Sequence, residues 1–270
     1  MSKIALIGAG NVSSHLASIF TKKGHTITEI YSRKLQNAAA LASSFAGVVP
    51  TDRLDFSESK AEFFLVSVTD NALENVLNQL VTLPNAIIAH TSGSHPLSII
   101  PQSTQAGIFY PLQTFSKSKE VNFEQIPICL EANNKHNLLL MRQLASSISH
   151  HIYEFDSEER QILHLAAVFS CNFSNFLFTI SKHILEKNKK EIPFDILKPL
   201  ISETLEKAFE ISPENAQTGP AKRADTAIIG KHLALLDTLF TQNKAINKRE
   251  ENWKKIYDLL TKQIIRFYTK

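Results

Sequence analysis

Apolar and polar positions follow two periods in the first half of the chain. Short apolar runs of strand length occupy residues 4–7, 26–31, 63–68, 86–90, 107–110, 127–130 and 152–155. Between several of them lie stretches with helical spacing. These are 12–23, closed by Gly24; the Ala-rich 34–45; 71–80, with Asp70 placed to cap it; and 135–149. Strands that alternate with helices imply a parallel, doubly wound sheet. After Asp156 the texture changes to helical periodicity alone, with helices expected over 157–187, 194–211, 220–241 and 245–268. Pro193, Pro213 and Pro220 fall at the expected helix starts, where a missing N–H costs nothing. The pattern predicts an α/β domain over residues 1–156 and an all-helical domain over 157–270.

The first strand runs into Gly8-Ala9-Gly10-Asn11-Val12, and a helix follows. Gly8 permits the tight bend, and Gly10 lets backbone approach a phosphate held on the helix N-terminus beside Asn11 and Val12. Ser13 stands where a third glycine is usual, and it is small enough for close helix–strand packing. This context predicts a Rossmann-type dinucleotide site; a glycine turn serving another ligand is the plainer alternative. An NAD site places a carboxylate at the end of the second strand, but this chain has Ser32-Arg33-Lys34 there, and Glu29 lies earlier, within the strand. A hydroxyl beside two cations suits a 2′-phosphate, so NADP is expected over NAD. Val68 and Thr69, at the end of the third strand, are expected near the cofactor.

Composition narrows the partners. The formal net charge of +3 is spread along 270 residues, against a nucleic-acid binder. The two cysteines form no C-x-x-C pair, and no metal site is expected. No apolar run approaches the about 20 residues of a membrane span, and the N-terminus does not read as a signal peptide, so a cytoplasmic protein is expected. Three polar groups are candidates to meet a small-molecule substrate. Ser92, Gly93 and Ser94 follow the fourth strand, where they bind a carbonyl or carboxylate or merely shape a turn. Gln113 and Thr114 follow the next strand. His164, Asn172 and Asn175 lie in an otherwise apolar helix, with His164, Cys171 and Asn175 on one stripe at about 3.6 residues per turn. His164 is either a satisfied core histidine or a proton donor to a carbonyl or imine.

Five segments carry a family resemblance: Gly-Ala-Gly-Asn-Val, His-Thr-Ser-Gly-Ser, Phe-Tyr-Pro-Leu-Gln-Thr-Phe, His-Leu-Ala-Ala-Val-Phe-x-x-Asn-Phe and Thr-Gly-Pro-Ala-x-Arg-x-Asp. In this order they resemble a bacterial oxidoreductase family with a Rossmann-like N-terminal half and a C-terminal domain of unknown function. The resemblance implies kinship with the 6-phosphogluconate dehydrogenase-like superfamily, which includes pyrroline-5-carboxylate reductase and ketopantoate reductase. It further implies a homodimer formed through the helical domain, a substrate bound between the domains, and roles for Thr218 and Arg223 with that substrate. The lysine–asparagine helix of β-hydroxyacid dehydrogenases is not reproduced; His164 occupies the comparable stretch. The expected function is an NADP-dependent oxidoreductase acting on a small carbonyl, imine or hydroxy acid, with His164, Asn172 and Asn175 catalytic. A non-catalytic NADP(H) sensor is the alternative.

Overall fold

The computed structural model describes residues 1–102, 104–187, 190, 192–241 and 252–269. Two compact units divide the chain, Met1–Cys171 and Asn172–Lys270. The first contains β1 (Lys3–Ile7), α1 (Asn11–Lys22), β2 (Thr26–Tyr31), α2 (Leu35–Ala42), β3 (Val49–Thr51), β4 (Phe63–Val66), α3 (Asp70–Gln79), β5 (Ile87–His90), β6 (Gln105–Pro111), β7 (Ile128–Ala132), α4 (Lys135–Ser146), β8 (Ile152–Glu154) and α5 (Ser157–Ala167). The strands form one eight-stranded sheet in the order β3-β2-β1-β4-β5-β6-β7-β8. Every neighbouring pair is parallel except β6 with β7. The order reverses between β1 and β4, and the crevice beyond their carboxyl ends is where such sheets take ligands.

The core explains the layers. Along β1, Ile4 and Leu6 point into one cluster while Ala5 and Ile7 point into the other, the two-residue period of a strand buried on both faces. Leu16, Ala17 and Phe20 of α1 and Met141 and Leu144 of α4 cover the first face. Leu73, Val76 and Leu77 of α3 cover the second.

Three sequence expectations change in this unit. The short β3 carried no strand signal, because Val49-Pro50-Thr51 is too brief for periodicity to show. The run at 127–130 pairs antiparallel with β6. Thr69, not Asp70, takes the N-cap position of α3, and Asp70 is the helix's first residue, its carboxylate engaged elsewhere.

In the second unit, α6 (Ser174–Glu186), α7 (Lys198–Glu210), α8 (Pro213–Ala216), α9 (Thr226–Thr241) and α10 (Trp253–Tyr268) are described. No helix begins at Pro220. Gly219 and Ala224 both take positive φ, residues 220–224 form turns, and the Asp225 side chain accepts the Ile228 N–H (3.1 Å) at the true helix entry. The expected helix start at 245 lies outside the described residues. Ile180, Leu236, Phe240 and Trp253 form this unit's small buried cluster. Many apolar side chains stay exposed, among them Leu200, Leu205, Phe209, Leu259 and Phe267.

A π-helical turn, Val168–Phe173, separates α5 from α6. The stretch Ser157–Glu186 is long and apolar enough, by length and composition alone, to cross a membrane, with a mean hydropathy of 1.4 over an 18-residue window. This corrects the expectation that no segment qualifies.

Candidate active site

The opening turn is built on two different glycines. Gly8 has φ 128°, and a Cβ there would lie 2.5 Å from the Ser67 carbonyl oxygen. Only glycine fits both constraints. Gly10 has nothing within 4 Å of a would-be Cβ. It occupies the N-cap of α1 without a side-chain cap, and the first turn holds no acidic residue. The orphan N–H groups of α1 therefore face open space suited to an anion. Ser13 is fully buried, and its hydroxyl hydrogen-bonds Ser67 at the end of β4. The residue replacing the third glycine thus ties helix to sheet, and the departure leaves the turn intact.

A cleft of about 610 Å³ opens beside this turn, lined by Gly8, Gly10, Ser32, Arg33, Lys34, Val68 and Thr69. Seven of the nine expected cofactor residues thus share one space. The other two do not line it: the Asn11 amide donates to the Phe115 carbonyl (2.9 Å), and Val12 packs against the core. Arg33 and Lys34 are exposed, with no ion-pair partner among the described residues. Glu29 is taken up by the Ser59 hydroxyl (3.0 Å), so no carboxylate of β2 competes for a ribose.

The loop after β5 is organised by Asp70. Ser92 Oγ donates to Asp70 Oδ1 (2.8 Å), and Ser94 Oγ donates to Oδ2 (3.4 Å). Ser92 Oγ also accepts the N–H groups of Ser94 and His95 (3.2 and 3.3 Å). Its hydroxyl is committed to the loop before any substrate arrives. Beneath it His90 is fully buried. Its Nδ1 accepts the Ser92 N–H (3.2 Å), and its Nε2 faces the Pro96 carbonyl (3.4 Å).

Burial pushes the His90 imidazole down to about 4. An unfolded chain takes up that proton near pH 6.5, so between these values the unfolded state binds more protons and stability rises with pH. Acidification across this window is expected to remove about 3 kcal/mol through His90 alone. Thermal melts over this range check it. His90→Gln should flatten the acid slope, and equal slopes in both proteins would refute the assignment.

His164 sits one helical turn after Arg160 on α5. Asp156 and Glu159 close a capping box at the helix start. Arg160 is fully buried, ion-paired to Glu131 of β7 and donating to the His95 carbonyl. Ser157 Oγ donates to the same carboxylate (2.8 Å) and accepts the Leu97 N–H (2.9 Å). These contacts fasten α5 to the loop after β5. His164 Nδ1 then lies 3.1 Å from the Tyr110 hydroxyl on β6, with the rings edge to face at 6.0 Å. Gly93 lies flat against both, since a Cβ there would come within 2.6 Å of His164 Nδ1 and 2.8 Å of Tyr110 Cζ. Burial pushes the Tyr110 phenol up to about 12.

Gln113 folds back to accept the Thr114 N–H (2.7 Å), and both are exposed. Asn172, Asn175, Thr218 and Arg223 belong to the second unit. Asn172 and Asn175 are exposed, with no side-chain hydrogen bond among the described residues. The π turn between His164 and Asn175 breaks the single stripe expected of a regular helix, because its residues do not advance at the α-helical angle. Sequence reasoning assigned no role to Tyr110, to the Arg160–Glu131 pair or to Asp70 as loop organiser. Only the four-residue spacing of Arg160 and His164 hinted that one helix face carried both.

The fold is of the Rossmann class, and the similarities that follow mark the chain as an NAD(P)-dependent oxidoreductase. Residues 3–91 match the family described as NADP oxidoreductase, coenzyme F420-dependent. Residues 126–264 match the domain of unknown function DUF2520, and the chain belongs to that family. It is 36% identical to a Bacteroides fragilis protein described as a "putative NADP oxidoreductase", over 98% of both chains, with a TM-score of 0.84. A reductive aminase from Aspergillus terreus, solved with NADPH and ethyl-5-oxohexanoate, shares the fold at 12% identity and a TM-score of 0.66, over 99% of this chain and 94% of that one. So does a variant imine reductase from Myxococcus stipitatus solved with NAD+, at 13% identity and a TM-score of 0.60, over the full length of both chains. No curated protein matches the chain.

Proposed function

We propose that this protein catalyses NADPH-dependent reduction of a small carbonyl or imine, or the reverse oxidation of a small alcohol or hydroxy acid. One observation carries the reading: the uncapped N-terminus of α1 opens at Gly10 onto the same cleft that Arg33 and Lys34 enter with no ion-pair partner among the described residues. Main-chain N–H groups there suit a pyrophosphate, and Arg33 suits a 2′-phosphate. NADPH, when bound, supplies the hydride. His164 supplies the proton to the reduced carbonyl oxygen or imine nitrogen, and Gly93 leaves its ring room. The exposed amides of Asn172 and Asn175 are available to orient a ligand.

The test is NADPH consumption, followed by absorbance, against panels of small imines, ketones and aldehydes. Turnover with at least one class is expected. Tight NADPH binding with no turnover on any panel would overturn the enzymatic reading in favour of a sensor.

The helical unit is further proposed to pair with a second copy. Its small buried cluster and its exposed Leu200, Leu205, Phe209 and Phe267 support the reading, since apolar side chains left open often mark an interface. Light scattering should read twice the chain mass, and a monomer at micromolar concentration would contradict the pairing.

A further inference from the structure

We propose that Tyr110 is a positioning residue for His164: its hydroxyl donates to Nδ1 and holds the neutral imidazole as the Nε2–H tautomer. This rests on the reading of His164 as the proton donor, and it names the nitrogen that serves. Tyr110 sits near the end of β6, half-buried, and His164 Nδ1 is the one hydrogen-bond partner its hydroxyl has among the described residues. If the neutral ring carried its hydrogen on Nδ1 and donated to the phenol oxygen, the phenol's own hydrogen would find no acceptor among the described residues and would be left to solvent. Donation from Tyr110 satisfies both groups at once.

The surroundings keep the pair in this arrangement. Gly93 presses its backbone against the Nδ1 edge of the imidazole and against the Tyr110 ring. Of the charged and titratable groups felt by Tyr110, Arg160 is neutralised by Glu131, and Asp70 is engaged by Ser92 and Ser94. Cys129 and Cys171 complete that set. With the phenol held neutral, its hydrogen is always present to donate. Nε2–H is left as the edge that faces a reacting oxygen or nitrogen, as a fixed second partner does for catalytic and metal-bound histidines. The acid is the protonated ring: the phenol rotates, turns its own hydrogen to solvent and accepts from Nδ1–H, the Nε2 proton passes to the substrate, and uptake of a solvent proton at Nε2 with loss of the Nδ1 proton restores the resting tautomer, so the orientation survives both charge states.

The test reads the tautomer directly. The protein is labelled with ¹⁵N-histidine, and imidazole spectra are recorded at pH about 9, where an ordinary histidine is neutral. His164 is assigned by difference with His164→Gln. The wild-type spectrum should show His164 as Nε2–H. In Tyr110→Phe, which keeps the ring and removes the hydroxyl, the Nε2–H to Nδ1–H ratio should fall about fivefold, equivalent to one hydrogen bond of about 1 kcal/mol. A wild-type His164 carrying its proton on Nδ1, or an unchanged ratio in the variant, would overturn the proposal. Should Tyr110→Phe fail to fold, the wild-type spectrum still decides. The spectra need no turnover, so failure of this inference and failure of the oxidoreductase reading are separate results.

Discussion

Replacing His164 by alanine is expected to lower NADPH-dependent turnover by about 10²- to 10⁴-fold, the usual worth of a positioned acid or base, while NADPH affinity stays at the wild-type value. The separation follows from geometry. His164 is held by Tyr110 and Gly93 at the ends of β6 and β5, whereas the nucleotide cleft is lined by the ends of β1, β2 and β4 and by α3. Its removal should therefore leave the cleft beside Gly8 and Gly10 untouched, and on the proposed reading takes away only the proton donor. The half-buried ring leaves a small gap beside Gly93, a stability cost that a thermal melt measures independently. Steady-state kinetics beside direct NADPH titration decide the matter, and turnover equal to wild type would remove His164 from the mechanism.

The two glycines of the first turn should fail in different ways. Gly8→Ala must hold φ 128° with a side chain, a strain of about 1–3 kcal/mol. Its Cβ also meets the Ser67 carbonyl at 2.5 Å, which forces the ends of β1 and β4 apart. Both thermal stability and NADPH binding should drop. Gly10 has φ −85° and open space around it, so alanine there fits the protein. The space it fills is the one assigned to the pyrophosphate. Gly10→Ala should melt within about 0.5 kcal/mol of wild type yet bind NADPH weakly. Calorimetric titration paired with melting curves distinguishes the two, and full NADPH affinity in Gly10→Ala would displace the phosphate from this turn.

Most of the sheet was legible because its strands are buried on both faces and read as continuous apolar runs, such as Phe63-Phe64-Leu65-Val66. The grouping of Gly8, Gly10 and Ser32–Lys34 about one cleft was legible too, because those positions follow from where strands end. The chemical end was less so. Asp70 reads as a helix cap in isolation, and only the fold brings it 22 residues along the chain to Ser92. Tyr110 and His164 are 54 residues apart and meet because Arg160 and Glu131 dock α5 beside β6 and β7. The π turn at Val168–Phe173 leaves no mark on apolar periodicity, so a stripe drawn at α-helical spacing crossed it unseen. Pro220 looked like a helix start because proline suits one, but the positive φ of Gly219 and Ala224 marks a turn there instead.

The central claim is an NADP site built from the Gly8–Gly10 turn and the Ser32–Lys34 strand end. Side-by-side equilibrium titration of NADPH and NADH tests it most directly. The wild-type protein should bind NADPH about 10- to 100-fold more tightly, as one charge-assisted phosphate contact allows, and Arg33→Ala should erase most of that preference without weakening NADH. Equal affinities in the wild-type protein, or no binding of either nucleotide, would contradict the account.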